Sequence, residues 1–385
     1  MHDLWDFRVA FSNLQHFRGL LFLLSVGSFF TGCGFIGRNL VEYLISNDLV
    51  SGVRVIDKVP PQTAWLNKKH ALIFENPKVE FRSANLINPA SCAAALEPGP
   101  DFVTWAAVIN CAGETKPGQT DPVYKEGILT LSLNAARESA RLQVPRYVEV
   151  TSGCMYSSEK VRHKEDGPVE PWNYISKWKS QVETELKSLA PDLKYTIVRP
   201  AVVYGPGDRR SLTPRILVGA VYKQMGEMMK LMWTADMKLN TVSVLDVARA
   251  IWFLVGKPEA VGQIYNLVDK GDSTQGSVTD LISDIFNINH DYWGTTMSSL
   301  AKTDLNSVVD EVNDKHLASW AEACSAEGIV NTPLDPTMTP ELLLNRHVNL
   351  DGSKLEQLGF VLEHPRPTKD KLQQVRLLFN NYVGT

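Results

Sequence analysis

The stretch PWNYISKWKSQVE, residues 171–183, contains a tyrosine followed closely by two lysines. Tyr174 could form an acid–base pair with Lys177 or Lys179, because positioned side chains of these types can exchange protons with a bound substrate. The pair would work only if both groups lie on one face of the helix that this stretch is expected to form.

Apolar residues recur at helical spacing here and predict a buried stripe at positions 175, 178, 182, 186 and 189. At about 100° per residue, Lys179 lies roughly 40° to one side of Ile175, and Tyr174 lies about 140° from Lys179. Lys177 lies nearly opposite the stripe and is predicted to be solvated. Tyr174 is more typical of a boundary aromatic beside Trp172 or Trp178, although an irregular helix start would swing its hydroxyl inward.

A glycine-rich turn earlier in the chain predicts a nucleotide-binding site. FFTGCGFIGRNLVEYLI places Gly32, Gly34 and Gly37 in a GxGxxG pattern, with Phe35 and Ile36 beginning a helical apolar spacing. Missing side chains let the backbone approach a pyrophosphate, and a helix N-terminus faces its negative charge. The apolar run at 19–30 is predicted to be the strand before the turn; the alternative is the core of a signal peptide.

The cofactor preference is predicted from the next strand. GVRVIDK ends in Asp57, whose carboxylate can accept hydrogen bonds from ribose hydroxyls and would repel a 2′-phosphate. The expected cofactor is therefore NAD, while Lys58 and Arg38 leave NADP open.

Further strands are predicted in KVEFRSANL, FVTWAAVINCAG and RYVEVTSGCMY, separated by helical stretches. This alternation predicts an α/β fold, a Rossmann-type doubly wound parallel sheet with a smaller C-terminal substrate-binding α/β part. Ligands should bind beyond the carboxyl ends of the strands, where the sequence places Asn110, Cys111, Ala112, Gly113 and Ser152.

The expected organisation is an extension at 1–18, an NAD(P)-binding domain at 19–200 and a mainly substrate-binding part at 201–385. Within the last part, 240–270 is expected to return to the first domain. The apolar residues of 1–18 have helical spacing and predict an amphipathic helix of no assigned function.

Composition narrows the class of protein. The chain has 385 residues, 44% hydrophobic and 21% charged, with a net charge of −4 and no basic block, which argues against a nucleic-acid partner. Its five cysteines show no metal-binding spacing and are typical of reduced thiols in a cytoplasmic protein. No stretch is expected to span a membrane or to hold a metal.

Five segments over residues 22–380 resemble the extended short-chain dehydrogenase/reductase family, specifically its NAD-dependent epimerase/dehydratase group. They are TGCGFIGRNL, VRPAVVYGPGDRR, NTVSVLDVARAIWFLV, GQIYNLVDKG and DGSKLEQLGF. In strict register the family's first glycine falls on Thr31, and Gly34 and Gly37 match the other two.

The resemblance implies hydride exchange between NAD and a hydroxylated substrate, usually a nucleotide sugar, with a homodimer left open. It also implies a Ser/Thr–Tyr–Lys set, in which Ser152 matches the serine and Lys179 the lysine. The family's YxxxK spacing puts Ile175 at the tyrosine position, so Tyr174 is a doubtful replacement. Lys179 can still bridge the ribose hydroxyls of the cofactor.

The same resemblance makes Arg209 and Arg210 candidates for gripping a substrate diphosphate. The acidic pair that sugar dehydratases of the family carry after the serine is absent, since Gly153 and Cys154 stand there.

Two other functions remain open. One is a catalytically weakened NAD(P)-binding sensor or scaffold protein, and the other, less favoured, is a relative of the 3β-hydroxysteroid dehydrogenases.

Overall fold

The computed structural model describes residues 27–30, 32–99 and 104–378. The strands are β1 Gly27–Phe30, β2 Val53–Asp57, β3 Val79–Ser83, β4 Ala107–Asn110, β5 Tyr147–Val150, β6 Tyr195–Pro200, β7 Val202–Tyr204, β8 Met229–Leu231, β9 Thr241–Ser243, β10 Ile264–Leu267 and β11 His290–Tyr292. The α-helices are α1 Phe35–Ser46, α2 Lys68–Phe74, α3 Pro89–Leu96, α4 Asp121–Tyr124, α5 Leu131–Arg141, α6 Tyr174–Ser188, α7 Thr213–Met225, α8 Val244–Val255, α9 Gln275–Phe286, α10 Gly294–Ala301, α11 Leu305–Ala326, α12 Ser353–Gln357 and α13 Lys369–Leu378.

Seven strands form a parallel sheet in the order β10-β6-β5-β4-β1-β2-β3. Strand β1 lies between β2 and β4, with Gly27 opposite both Val53 and Ala107. The strand order reverses at β1, which creates a crevice at the carboxyl ends of β1 and β4. The predicted doubly wound parallel sheet is therefore confirmed.

The apolar run that predicted the first strand is described only in its last four residues. Of residues 19–30, the structure describes Gly27–Phe30 as a strand. The rest of that run and the helix predicted within 1–18 lie outside the described residues.

Helices cover both faces of the sheet because its central strands are apolar on both sides. On one face, α1 and α8 pack against each other and against the sheet, through residues such as Leu40, Leu44, Val247 and Ile251. On the other face lie α3, α5 and α6, with Leu96, Ala135, Val182 and Leu186 buried.

A smaller part follows β6 and contains two short parallel pairs, β7 with β9 and β8 with β11. Its core joins α7 to α9. A side chain at Gly219 on α7 would meet Ile282 at 2.5 Å and Phe286 at 2.8 Å, so the two helices approach closely only because this residue is glycine.

The chain crosses between the two parts several times. Strand β10 adds to the edge of the large sheet, and α8 packs on α1. Near the C-terminus, a segment runs between the parts, since Val348 bridges to Leu239 and Leu350 bridges to His163. These crossings put 244–267 against the large sheet.

In the portion of the chain that the structure covers, no helix is both long and apolar enough to cross a membrane.

A buried acid, Asp269, lies just after β10. Its carboxylate accepts hydrogen bonds from the Thr241 hydroxyl at 2.7 Å and from the Gly271 N–H at 2.9 Å. Burial, and secondarily the nearby charge of Asp246, raise the pKa of Asp269 from 3.8 to about 6. The native state therefore holds this proton more tightly than the unfolded chain, so the stabilising contribution is complete below pH 3.8 and is lost as the pH rises through about 6.

Asp269→Asn is expected to remove that pH dependence. Between about pH 5 and about pH 7.5, the free energy of unfolding of the variant should rise by roughly 1–1.5 kcal/mol relative to that of the wild type. Urea unfolding at the two pH values measures this difference. Asp314→Asn, at an exposed position of α11, is the control and should track the wild type. A constant offset between Asp269→Asn and the wild type would contradict the prediction.

Candidate active site

The glycine turn leads into the N-terminus of α1. Gly34 is the N-cap residue with ψ 176°, no side chain caps the helix, and its first turn carries no acid. By contrast, Asn67, Asn88 and Asn173 cap α2, α3 and α6 through their side-chain oxygens. Within 27–30, 32–99 and 104–378, the first N–H groups of α1 thus have no side-chain acceptor, which suits an external anion.

Close packing fixes the turn against the sheet. A side chain at Gly32 would meet Val55 of β2 at 2.5 Å, so glycine is required for this approach. The guanidinium of Arg38, which is 1% exposed, donates to the carbonyls of Cys33 and Gly34. These bonds turn the carbonyls of the turn inward.

Arg38 also donates to the carbonyls of Ala64 and Trp65 in the connection after β2. The expectation that Arg38 helps to keep NADP open is therefore wrong, because its guanidinium is buried and already bound to backbone. Lys58 is exposed and remains open for that role.

Asp57 is the last residue of β2 and is buried beside the glycine turn. Its carboxylate accepts the Val59 N–H at 3.0 Å and also faces the N–H groups of Cys33 and Lys58. Burial nevertheless raises the pKa of Asp57 above its ordinary value, against the lowering effect of these N–H groups. The carboxylate lies next to the turn, as the ribose-binding prediction requires.

The carboxyl end of β4 lies beside this turn. Asn110 is fully buried, its amide N–H groups bind Ser132 and Glu149, and its carbonyl accepts the Ala112 N–H at 2.9 Å. The Asn110 side chain therefore holds the backbone at the carboxyl end of β4 in place from inside the protein. A side chain at Gly113 would lie 3.6 Å from the Lys179 Nζ, so this loop and Lys179 are in direct contact.

Lys179 is 5% exposed and points into the ends of the strands. Its Nζ donates to the carbonyl of Val150 at 2.8 Å, to the carbonyl of Ala112 at 3.1 Å and to the carboxylate of Glu149 at 3.3 Å. Three acceptors therefore match the three N–H donors of the ammonium.

The buried face of α6 differs from the predicted stripe. Its buried residues are Ser176, Lys179, Val182, Glu183 and Leu186, while Ile175 and Trp178 are half-buried. The reason is that the charged residues of this face have buried partners: Glu183 binds Arg199, with the shortest contact at 2.5 Å. Lys179 thus lies at the centre of the buried face instead of its edge. Lys177 is exposed, as predicted.

Tyr174 is the first residue of α6, and its side chain is 47% exposed. Its ring stacks on Tyr124, with ring centroids 5.7 Å apart and an interplanar angle of 21°. Tyr174 was predicted to pack beside Trp172 or Trp178, whereas the ring it stacks on in the structure is that of Tyr124. The Tyr174 side chain is exposed and stacks on Tyr124, whereas the Lys179 ammonium is buried among other acceptors, and no contact joins the two as an acid–base pair would require.

Ser152 lies half-buried just beyond β5, and its hydroxyl accepts the N–H of Cys154 at 3.1 Å. Burial raises the pKa of the Cys154 thiol, and it raises that of Cys111 at the end of β4 to about 12. Both thiols are therefore protonated near neutral pH and are poor bases.

The YGPGDRR loop of the smaller part contacts helix α1, which follows the glycine turn. Its Pro206 carbonyl accepts the Asn39 amide at 2.8 Å, and a side chain at Gly207 would lie 3.0 Å from Arg38. Gly207 has φ 87°, a conformation that favours glycine.

Arg209 and Arg210 follow this loop. Asp208 accepts the N–H groups of residues 210–213 and so fixes the start of α7. The exposed Arg210 reaches the loop after β4, with its Nη1 3.3 Å from the Thr115 hydroxyl. Arg209 is half-exposed. The structure thus brings Arg210 across from the smaller part to the loop beyond β4.

Sequence reasoning missed Arg215 on α7. Its guanidinium donates to the Leu342 carbonyl at 2.9 Å, and burial lowers its pKa to about 10. Within the described ranges, no carboxylate lies within ion-pair distance of it. Arg215 is half-buried, and the sequence around it carries no signal that separates it from an exposed arginine.

A family comparison agrees with this geometry. The model of the NAD dependent epimerase/dehydratase family matches residues 30–267, and the chain belongs to that family. No curated protein matches the chain.

Solved structures share the fold at low sequence identity. The UDP-glucose 4-epimerase of Thermus thermophilus, solved with NAD, is 18% identical and has a TM-score of 0.64, covering 94% of this chain and 99% of its own. The dTDP-glucose 4,6-dehydratase DesIV of Streptomyces venezuelae, with NAD and TYD bound, is 17% identical and has a TM-score of 0.67, covering 92% and 97%. The UDP-N-acetylglucosamine 4-epimerase of Methanobrevibacter ruminantium, in complex with UDP-N-acetylmuramic acid, is 17% identical and has a TM-score of 0.62, covering 94% and 97%.

The position of Tyr174 leads to a stability test. Tyr174→Phe keeps the stack on Tyr124 and is expected to change the free energy of unfolding by less than about 0.5 kcal/mol. Tyr174→Ala removes the stack and should cost about 0.5–1.5 kcal/mol. Urea unfolding compares the two variants. Equal losses would show that the hydroxyl, and not the ring, holds this residue.

Proposed function

We propose that the chain binds NAD in the crevice beyond β1, β2 and β4 and acts as an NAD-dependent epimerase or oxidoreductase on a nucleotide sugar or a similar hydroxylated substrate. The observation that carries the proposal is the uncapped N-terminus of α1 after a glycine turn, with Asp57 buried beside that turn. NADP remains the alternative cofactor, because the exposed Lys58 could bind its 2′-phosphate.

Residues of this chain fit the parts of such a cofactor. The N–H groups of the turn and of the first turn of α1, at Gly34, Phe35 and Ile36, would hold the pyrophosphate. The Asp57 carboxylate would accept hydrogen bonds from the hydroxyls of a ribose. Ala112 and Gly113 would line the crevice beside Lys179, which the family resemblance assigns to the nicotinamide ribose.

The bound cofactor would supply hydride exchange with a carbon that bears a hydroxyl group. Ser152 would orient that hydroxyl, because its own hydroxyl lies half-buried at the end of β5. On the substrate side, Arg209 and Arg210 would bind a diphosphate, and Arg210 already contacts the Thr115 hydroxyl in the loop after β4. The proposal includes UDP- and dTDP-linked sugars because the similar solved structures include a UDP-glucose 4-epimerase and a dTDP-glucose 4,6-dehydratase.

A second candidate function is an NAD-binding sensor or scaffold with weak catalysis. The observation that favours it is Ile175, which occupies the position of the family's tyrosine while Tyr174 stacks outward on Tyr124. The two candidates share the cofactor site and differ in whether a group of this chain can move the proton of the substrate hydroxyl.

NAD is expected to raise the melting temperature of the wild-type protein, because a ligand that binds only the folded state stabilises it. Gly34→Asp should abolish the shift, since it places a carboxylate against the pyrophosphate. Thermal unfolding with and without millimolar NAD or NADP provides the measurement. Ser46→Asp, at the exposed far end of α1, is the matched control and should retain the shift. If neither dinucleotide shifts the wild type, the proposed function fails.

Ile175→Tyr is expected to create or increase oxidoreductase activity, because it rebuilds the YxxxK spacing with Lys179. A positioned acid–base group typically contributes about 10²- to 10⁴-fold in rate. NADH formation with a panel of nucleotide sugars is the readout, with Tyr174→Phe as the companion variant that should stay within a few-fold of the wild type. Overpacking of about 1–3 kcal/mol at this half-buried position requires that stability be measured in parallel. A large loss in Tyr174→Phe alone would identify Tyr174 as the acid–base group.

A further inference from the structure

A carboxylate is buried in the middle of the central sheet. Glu149 lies on β5 and is fully buried. Its Oε2 accepts the Tyr147 hydroxyl at 2.7 Å and the Asn110 amide at 2.8 Å, and its Oε1 accepts the Ser132 hydroxyl at 2.9 Å and the Lys179 Nζ at 3.3 Å. The carboxylate is thus fixed by three neutral donors before its ion pair with Lys179 is counted.

The three neutral donors restrict where Lys179 can lie. They come from β4, β5 and α5, so the position of the carboxylate is set by the packed sheet and not by the flexible lysine. The ammonium then settles between this carboxylate and the carbonyls of Ala112 and Val150. A buried charge is tolerated when it is both paired and hydrogen-bonded, and here both conditions hold.

This arrangement touches the proposed cofactor site. Lys179 Nζ lies against Gly113, in the loop that lines the crevice beyond β4. Without Glu149, the ammonium would be a buried charge with two carbonyl acceptors and no counter-charge, and it would turn outward to water. That movement would remove the cation from the loop.

We infer that Glu149 is a positioning residue that holds the charged Lys179 against the 111–113 loop, so that Lys179, through its bond to the Ala112 carbonyl, fixes this loop where it would line the dinucleotide site. The inference rests on the proposed NAD binding and adds a residue to it. Glu149 acts through Lys179 and does not itself reach the crevice.

The test is a double-variant cycle read out by NAD affinity. Lys179→Met is expected to weaken NAD binding about tenfold, the range for loss of a hydrogen bond from a charged group. Glu149→Gln should weaken it about three- to tenfold, because it keeps the shape and removes the charge. In the Lys179→Met background, adding Glu149→Gln should change the affinity by less than about twofold, since the lysine through which it acts is gone.

Glu183→Gln is the matched control. It also neutralises a buried carboxylate in an ion pair, that with Arg199, on the same helix as Lys179. It should lower the melting temperature while NAD affinity stays within about twofold of the wild type, measured where all variants are folded. Equal losses of NAD affinity in Glu183→Gln and Glu149→Gln would reduce the effect to general destabilisation and overturn the inference.

Two further outcomes would overturn it: wild-type affinity in Glu149→Gln, or additive losses in the double variant. If Glu149→Gln does not fold, the Glu149–Lys179 pair is tested by comparing the free energy of unfolding of Lys179→Met with that of the double variant. Lys179→Met leaves the carboxylate buried without its cation, so adding Glu149→Gln should restore stability. A double variant no more stable than Lys179→Met overturns the inference. This stability arm does not use NAD, so it gives a result even if the wild type fails to bind NAD and the proposed function falls.

Discussion

The buried guanidinium of Arg38 is the interaction on which the site depends. It donates hydrogen bonds to carbonyls of the glycine turn and of the connection after β2, and these bonds keep the carbonyls directed away from the crevice. With the carbonyls turned inward, the N–H groups at the start of α1 are left for an anion, because no side chain among the described residues caps them. A lysine could not replace Arg38, because it lacks the planar set of donors that reaches several carbonyls at once.

Hydrophobic spacing predicted the parallel sheet, and the glycine turn and Asp57 predicted its crevice, because these features are local in the sequence. The full burial of Arg38 and Lys179 could not be predicted, for the opposite reason. Their partners are distant in the sequence: Ala64 lies 26 residues from Arg38, and Glu149 lies 30 residues from Lys179. A periodicity argument assigns charges to the surface, whereas a buried charge is allowed wherever the fold brings a partner to it.

Local spacing also predicted part of the geometry of α6. It placed Tyr174 and Lys179 on different faces of the helix, and in the structure the Tyr174 side chain is exposed while Lys179 is buried. The partner of Tyr174 could not be read from the chain, because Tyr124 lies at the end of α4, directly before a π-helical segment at Lys125–Thr130 that local propensity does not indicate. The roles of Ser152, Arg209 and Arg210 rest on resemblance and remain predictions.

The loop around Pro206 and Gly207 contacts the N-terminal end of α1, through Asn39 and Arg38. The same end of the helix therefore supports both the cofactor crevice and the segment that leads to the substrate-side arginines. If either ligand steadies this shared support, the entropy of ordering it is lost once and not twice, which makes the two binding events cooperative. Thermodynamic linkage then requires the effect to be reciprocal: the factor by which the dinucleotide tightens substrate binding equals the factor by which substrate tightens the dinucleotide.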